Sequence, residues 1–308
     1  MNARSFLCLA LASHAQLVVA AGSAQAQATK NFVASFGADT NDGSRGSPKR
    51  NFQAAHDTVA AGGEIVALDT AGYGVVSITK AIGITAPPGI TGFITTSSGT
   101  PAVTVNAPSG TVTLRGLTLN TTSGTPIGID VNNVGALTVT DCTISGFRNA
   151  GIEFGPASTA TLLVKNSTVR DSFNGILTPT NGPANATVVI DGCRLESNTA
   201  AGLSISSPAA GVSNRFQVHD SLFAGNGTAI ADFGANNRVA MSGCTFSANS
   251  FGIRVFTSGA TANVDGCTIS GNTTGLNNNP GANLLSRSNN TVENNGTDGT
   301  FTATYSAK

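Results

Sequence analysis

Tryptophan is missing from this chain of 308 residues, tyrosine and methionine occur twice each, and only 10% of the residues are charged. The charges balance to a formal net of zero, so there is no global field to draw in nucleic acid or an anionic membrane. No basic stripe suited to tracking a phosphate backbone is visible either, so no nucleic-acid partner is expected. A helical protein of this length would carry far more Glu, Lys and Leu. Thr, Ser, Asn, Val and Gly dominate instead, which favours strands and turns. After the first two dozen residues no apolar run is long enough to span a bilayer as a helix.

Those first residues read as a targeting segment. Arg4 supplies a short positive start, an apolar stretch runs from Phe6 to Val19, and Ala24-Gln25-Ala26 forms a small-x-small cleavage signal. The expectation is a signal peptide over residues 1–26, a mature chain from about Gln27, and export to the periplasm or medium of a bacterium. No membrane span is expected after cleavage. Removing the segment removes Cys8 and leaves Cys142, Cys193, Cys244 and Cys267. An even count in an exported chain invites a disulfide reading.

From Thr111 onward the chain repeats itself. Segments such as TVTLRGLTL, LTVTDCTIS, VVIDGCRLE and ANVDGCTIS align on an anchor column of Leu117, Cys142, Ser167, Cys193, Ser221, Cys244, Cys267 and Asn290, spaced 25, 25, 26, 28, 23, 23 and 23 residues apart. A period in the twenties indicates stacked units, each too small to bury its own apolar face. Three residues before the anchor stand Leu114, Val139, Val164, Ile190, Val218, Met241 and Val264. Two after it stand Leu119, Ile144, Val169, Leu195, Phe223, Phe246, Ile269 and Val292. That is strand alternation with one face buried.

Directly before the anchor only Gly, Asn or Asp occurs, from Gly116 and Asp141 to Asn289. These are the residues that tolerate a left-handed backbone, so a sharp turn is expected there. A recurring Gly-apolar pair, at Gly128, Gly151, Gly175, Gly202, Gly252 and Gly275, opens a third strand. Five residues past the anchor, Asn198, Asn226, Asn249, Asn272 and Asn295 are placed to hydrogen-bond from coil to coil. The pattern predicts an all-β fold, a parallel β-helix of roughly ten coils. The cysteines fall in an inward column, where a small thiol packs well. Cys244 and Cys267 sit on neighbouring coils, which leaves a disulfide or two buried thiols open.

Before Thr111 the pattern loosens. Phe32–Ser35 and Gly63–Leu68 read as strands, as do segments around Val75–Ile84, Phe93–Thr95 and Val103–Val105. Asn51–Ala60 has helical spacing with Asn51 as its cap and a Gly pair after it, a short helix suited to covering the open end of a solenoid. Phe301–Tyr305 is placed to close the other end. The mature chain, 27–308, is read as one domain whose residues 27–63 form the N-terminal cap. The stretch from Phe32 to Gly74, with Gly37, Asp39, Asn41, Gly43, Pro48, Ala54, Gly62, Gly63 and Tyr73, resembles the cap of exported right-handed β-helix proteins of the pectate-lyase-like superfamily. The resemblance implies a right-handed coil, and an active face on the strand that precedes the long variable loops. Here those are the Gly-apolar strand and the loops Thr178–Ala186 and Ser206–Asn214.

Outward positions on that strand are Asp130, Glu153, Leu177, Ser204, Ala231, Arg254 and Asn277. Asp130 and Glu153 fall on successive coils, roughly 5 Å apart, with Arg148, Arg170 and Asp171 in adjoining turns. Paired carboxylates beside an arginine could act as acid and base on a glycoside, or hold Ca²⁺ beside a uronate with Arg as base. The catalytic candidates are therefore Asp130, Glu153, Arg148, Arg170 and Asp171, and Asp130, Glu153 and Arg148 are also the candidates for substrate binding. A solvated face of balanced charges is the alternative. Lys165, Asp191 and His219 stack in a second column, at a tight turn where polar residues are expected anyway. Asp39–Gly43 has the look of a calcium loop, but its Gly is one place early and no bidentate Glu follows, so a turn is expected. No resident metal or cofactor is expected apart from that Ca²⁺ option.

The motifs of polygalacturonases and pectate lyases, paired aspartates, Gly-His-Gly, Arg-x-Lys and Trp-rich segments, are missing. The reading is thus an exported β-helix with a carbohydrate-binding or cell-surface structural role, its partner a polysaccharide or surface glycan. The alternative is a polysaccharide lyase or glycoside hydrolase acting on an acidic polysaccharide.

Overall fold

The computed structural model describes residues 27–97, 99–179, 185–206 and 212–306. Residues 1–26, expected to be a signal segment, and parts of both variable loops lie outside the described residues. Each coil contributes three strands in order, on faces here called A, B and C. Thr161–Lys165 (face A), Thr168–Arg170 (face B) and Asn174–Thr178 (face C) make one representative coil. Every face pairs in parallel with the coils before and after it. Face B forms a ten-stranded sheet. Faces A and C join into one sheet of nineteen strands, because Val103–Arg115 and Ile127–Thr140 run around the C-to-A corner unbroken. Eight of these coils carry the anchor, from Leu117 to Asn290; the remaining rungs of face B, Ala71–Gly72 and Gly92–Thr96, belong to the looser N-terminal part.

The alternating columns form one continuous core from Val33 to Leu284. The turn before the anchor is left-handed at Gly116, Asp141, Asn166, Gly192, Asp220, Gly243 and Gly266, with φ between 46° and 70°. In the last coil Ser288, rather than Asn289, takes that conformation (φ 68°). There Asn289 is free to accept from the Gly266 amide and donate to Asp265. A second left-handed column, Gly146, Asp171, Ser197, Gly225, Ala248, Gly271 and Asn294, closes the last seven face-B strands.

The asparagine ladder forms as expected. Each Oδ1 accepts both the backbone N–H and the side-chain Nδ2 of the preceding coil's asparagine, at 2.8–3.0 Å, from Asn198 through Asn226, Asn249 and Asn272 to Asn295. Asp298 ends it by accepting from Asn295. The four cysteines among the described residues are buried free thiols, and Cys142, Cys193 and Cys244 each lie near backbone carbonyls of their own and the preceding coil. Burial pushes the Cys142 thiol up to about 11, which keeps it protonated and unreactive.

At the N-terminal end a helix, Phe52–Thr58, covers the first coils. It is shorter than the spacing suggested and Asn51 does not cap it, because its side chain donates to Asp39 at 2.7 Å. Asp39 also accepts the backbone N–H groups of Arg50 and Asn51, and Asp42 accepts that of Ser44. The Asp39–Gly43 carboxylates thus hold a turn. Phe52 packs on Tyr73 with ring centroids 4.9 Å apart. At the other end Ala303–Thr304 pairs with Leu285–Ser286, and Phe301 packs against the core. No helix among the described residues is long and apolar enough to cross a membrane.

Candidate functional site on face C

A face-C strand opens with a buried or partly buried residue, then glycine (Ala229 in one coil), then an inward aliphatic. The glycine is needed because a Cβ at Gly151 would stand 2.4 Å from Val169 Cγ1 and 2.9 Å from the Gly175 carbonyl oxygen. With two successive residues turned inward, the fourth points out. The observed register lines up Asp130, Glu153, Leu177, Ser204, Ala231, Arg254 and Asn277 rung by rung, the column read from the sequence. Its middle is small and nearly covered: Ser204 is 8% exposed and Ala231 3%.

At one end of the column stands the carboxylate pair. Asn132 Nδ2 donates to Asp130 Oδ2 at 3.0 Å, and Asn149 Nδ2 to Glu153 Oε2 at 2.6 Å. Burial, and then the Asp130 charge, raise the Glu153 pKa; the Asn149 bond opposes them. Adjacent carboxylates of which one resists ionisation are suited to hydrogen-bond a hydroxyl, one accepting and the other donating. Two carboxylates, each already engaged by an amide, are too few oxygen ligands to hold Ca²⁺ on their own, and no cluster of three or more metal-binding side chains occurs among the described residues.

The arginines do not gather around this pair. Arg148 lies back over the preceding turn, where a Cβ on Gly124 would come 2.7 Å from its Nε. None of the ion pairs among the described residues joins it to Asp130 or Glu153. Arg170 and Asp171 pair with each other at 2.6 Å, and Arg170 belongs to face B. In the second column Lys165 binds Asp191 at 2.8 Å, while His219 Nδ1 meets the Ser242 hydroxyl at 2.7 Å. These side chains link neighbouring coils along face A.

The other end of the column holds what the sequence reading missed. Arg254 lies between two rings, its guanidinium carbon 4.3 Å from the Phe251 centroid and 4.0 Å from that of Phe256. Its Nε donates to Asn277 Oδ1 at 3.0 Å. Phe233, exposed, stacks on Phe256 at 4.2 Å and 10°. The signal lay in the alignment: Phe233 and Phe256 each follow the last residue of a face-C strand, Asp232 or Val255.

Asp232, just before Phe233, occupies the inward column between Ile205 and Val255. It is 1% exposed, and its Oδ1 accepts from Gly234 N at 3.0 Å and Asn237 Nδ2 at 2.9 Å. Its Oδ2 and the Asn237 Oδ1 are both buried with no hydrogen-bond partner among the described residues. Burial pushes the Asp232 carboxyl up to about 6, against the two hydrogen bonds that lower it.

With this geometry in place, family comparison is informative. The model described as the right-handed beta helix region matches residues 96–240 and 127–297. The chain belongs to that family. No curated protein sequence matches it. Among solved structures this right-handed β-helix is similar to pectate lyase Pel9A, with a TM-score of 0.52 at 18% identity, covering 83% of this chain and 74% of that one. It is also similar to XylC, solved in complex with xylose, with a TM-score of 0.58 at 9% identity, covering 85% and 67%. At these identities the likeness concerns the fold, and the architecture hosts many activities.

Proposed function

We propose that this β-helix is an exported bacterial protein that binds a polysaccharide chain along face C. The observation that carries the reading is the outward column itself. It runs from hydrogen-bonded carboxylates at Asp130 and Glu153, over a small-residue floor at Ser204 and Ala231, to Arg254 clamped between Phe251 and Phe256. Carboxylates and Arg suit sugar hydroxyls, and the exposed ring of Phe233 beside Phe256 suits the apolar face of a sugar. The polysaccharide-active neighbour and the xylose complex are consistent with a glycan ligand. Export rests on Arg4 and Ala24-Gln25-Ala26, with a mature chain from about Gln27 that folds as one β-helix domain. N-terminal sequencing of the protein recovered outside the cytoplasm tests it, and an intact Met1 would refute it.

Glycan-array binding, followed by calorimetry on the strongest hit, tests the ligand. Binding should fall at least about tenfold for Arg254→Ala and for the Asp130→Ala, Glu153→Ala double variant, each of which removes charge-assisted hydrogen bonds. Binding unchanged in both variants would refute the face-C reading. A second reading, a lyase or hydrolase, is favoured by the raised Glu153 pKa beside Asp130, the condition of a general acid. New reducing or unsaturated ends from pectate, alginate or xylan, lost in Glu153→Gln, would establish catalysis over binding.

A further inference from the structure

Six of the nine cations from Arg115 to Arg287 hold a partner, and Arg148, over the Gly124 turn, is not among them. Arg115, Lys165, Arg170, Arg194 and Arg287 each hold a carboxylate, and Arg254 holds Asn277 and two phenyl rings. Face A breaks this habit at one place. Arg215 and Arg238 open consecutive strands, Arg215–His219 and Arg238–Ser242, in direct register. Their Cα atoms are thus about 4.8 Å apart, and both side chains are exposed. No ion pair among the described residues includes either one.

Nor does an exposed counter-charge stand nearby: Asp232, the acid that precedes Arg238 in sequence, is buried in the inward column and hydrogen-bonded to Gly234 and Asn237. The acids of the neighbouring strands, Asp191 and Asp265, stand at the far ends, four residues or roughly 13 Å along the strand direction. Residues 180–190 and 206–219 contain no Asp or Glu. Like charges directly opposite one another on adjacent strands destabilise a sheet, so an arginine pair left this way calls for an anion. The flanking rungs in the same column are Thr187 and Thr261, which add hydroxyl donors on either side. A shallow concavity of about 150 Å³, lined by the two arginines, by the polar Gln217, Thr261 and Asn263 and by apolar residues of the same strands, lies over the pair.

We propose that Arg215 and Arg238 form an oxyanion site on face A that takes a phosphate or sulfate group, independently of the glycan face. Two guanidinium forks one rung apart present parallel N–H donors to a tetrahedral oxyanion, an arrangement a pair of lysines would not reproduce. The backbone ladder fixes the spacing of the two Cα atoms, while the exposed side chains are ordered when the anion binds.

The test uses the mature chain, calorimetry and three probes: inorganic phosphate, a sulfated oligosaccharide with its unsulfated form as control, and phosphatidylglycerol vesicles with phosphatidylcholine vesicles as control. Phosphate should bind and raise the melting temperature. Arg215→Ala and Arg238→Ala should each weaken binding by about tenfold, and the double variant should abolish it. Whichever of the two larger probes binds more tightly than inorganic phosphate identifies where the group is carried; phosphate alone binding marks a free ion as the ligand. Without anion and at low salt, either single substitution should raise the melting temperature, because it relieves repulsion between the pair; this readout also shows that the variants fold. Binding of all three probes undiminished in the double variant, or no binding of any probe, would overturn the site.

Discussion

The asparagine ladder and the outward column of face C run along the same coils, yet they obey opposite rules. In the ladder every rung from Asn198 to Asn272 has the same residue and donates the same bonds to the next. On face C no two of the seven outward positions from Asp130 to Asn277 are alike. Inside the solenoid each coil meets the same problem, a buried backbone N–H and carbonyl that must be paired, and one solution is repeated. Outside, water can satisfy any polar side chain, so the fold does not dictate the residue. Variation there is where a ligand-specific surface can be written.

Breaking the ladder should have the largest effect. Asn249 donates to Phe223 O and Asn272 Oδ1, and its Oδ1 accepts from Asn226 N and Nδ2. Asn249→Ala leaves these groups buried and unpaired, and should destabilise the protein by about 4 kcal/mol, measured by urea unfolding. The same change at Asn295, whose partner Asp298 is exposed, should cost less than half as much. Equal losses at both positions would mean that burial is not what gives the ladder its strength. Gly151→Ala comes next. Its Cβ would strike Val169 and the Gly175 carbonyl, and about 3 kcal/mol should be lost through overpacking. In the coil where Ala229 already fills the equivalent place, Ala229→Gly should change stability by less than about 1 kcal/mol.

The ladder and the turns were legible in the sequence because they recur. A column of Asn, or of Gly, Asn and Asp, is visible before any contact is known, and the register of Asp130 with Glu153 followed from counting. What escaped was either unrepeated or disguised. Arg254 with its three phenylalanines occurs once. Asn51 was drawn from its capping role by Asp39, a tertiary contact that local spacing does not encode. Arg170 and Asp171 are neighbours in sequence to the Glu153 coil, but a three-sided coil turns them onto another face.

Asp232 joins the two regions, an inward residue whose neighbour Phe233 belongs to the outward cluster. Its folded pKa of about 6 lies above its ordinary value of 3.8. Between these values the folded state keeps a proton that the unfolded chain releases. Stability due to this carboxyl is therefore full below about pH 4 and falls as pH rises through 6, by about 3 kcal/mol in total. Asp232→Asn replaces the ionisable oxygen with a group that stays neutral. The variant should gain up to about 3 kcal/mol over the wild type at pH 8 and nothing at pH 4. A difference between the two proteins that does not vary with pH would show that Asp232 does not titrate in this window.

The smallest expected effect probes the second left-handed column, where the repeat is disguised. Gly146, Gly225 and Gly271 occupy it as a turn requires, but Ala248 adopts φ 56° with a Cβ. A left-handed conformation costs an ordinary L-residue about 1–2 kcal/mol, and glycine avoids that while losing about 0.5–1 kcal/mol of chain entropy. Ala248→Gly should therefore stabilise the protein by up to about 1 kcal/mol, read as a shift of the urea midpoint with an unchanged slope. Gly225→Ala, the reverse change one coil earlier, should destabilise by a similar amount. If both substitutions destabilise, the Ala248 methyl contributes packing that outweighs the strain. The column would then resemble the outward face, each rung settled by its own neighbours, and not the ladder.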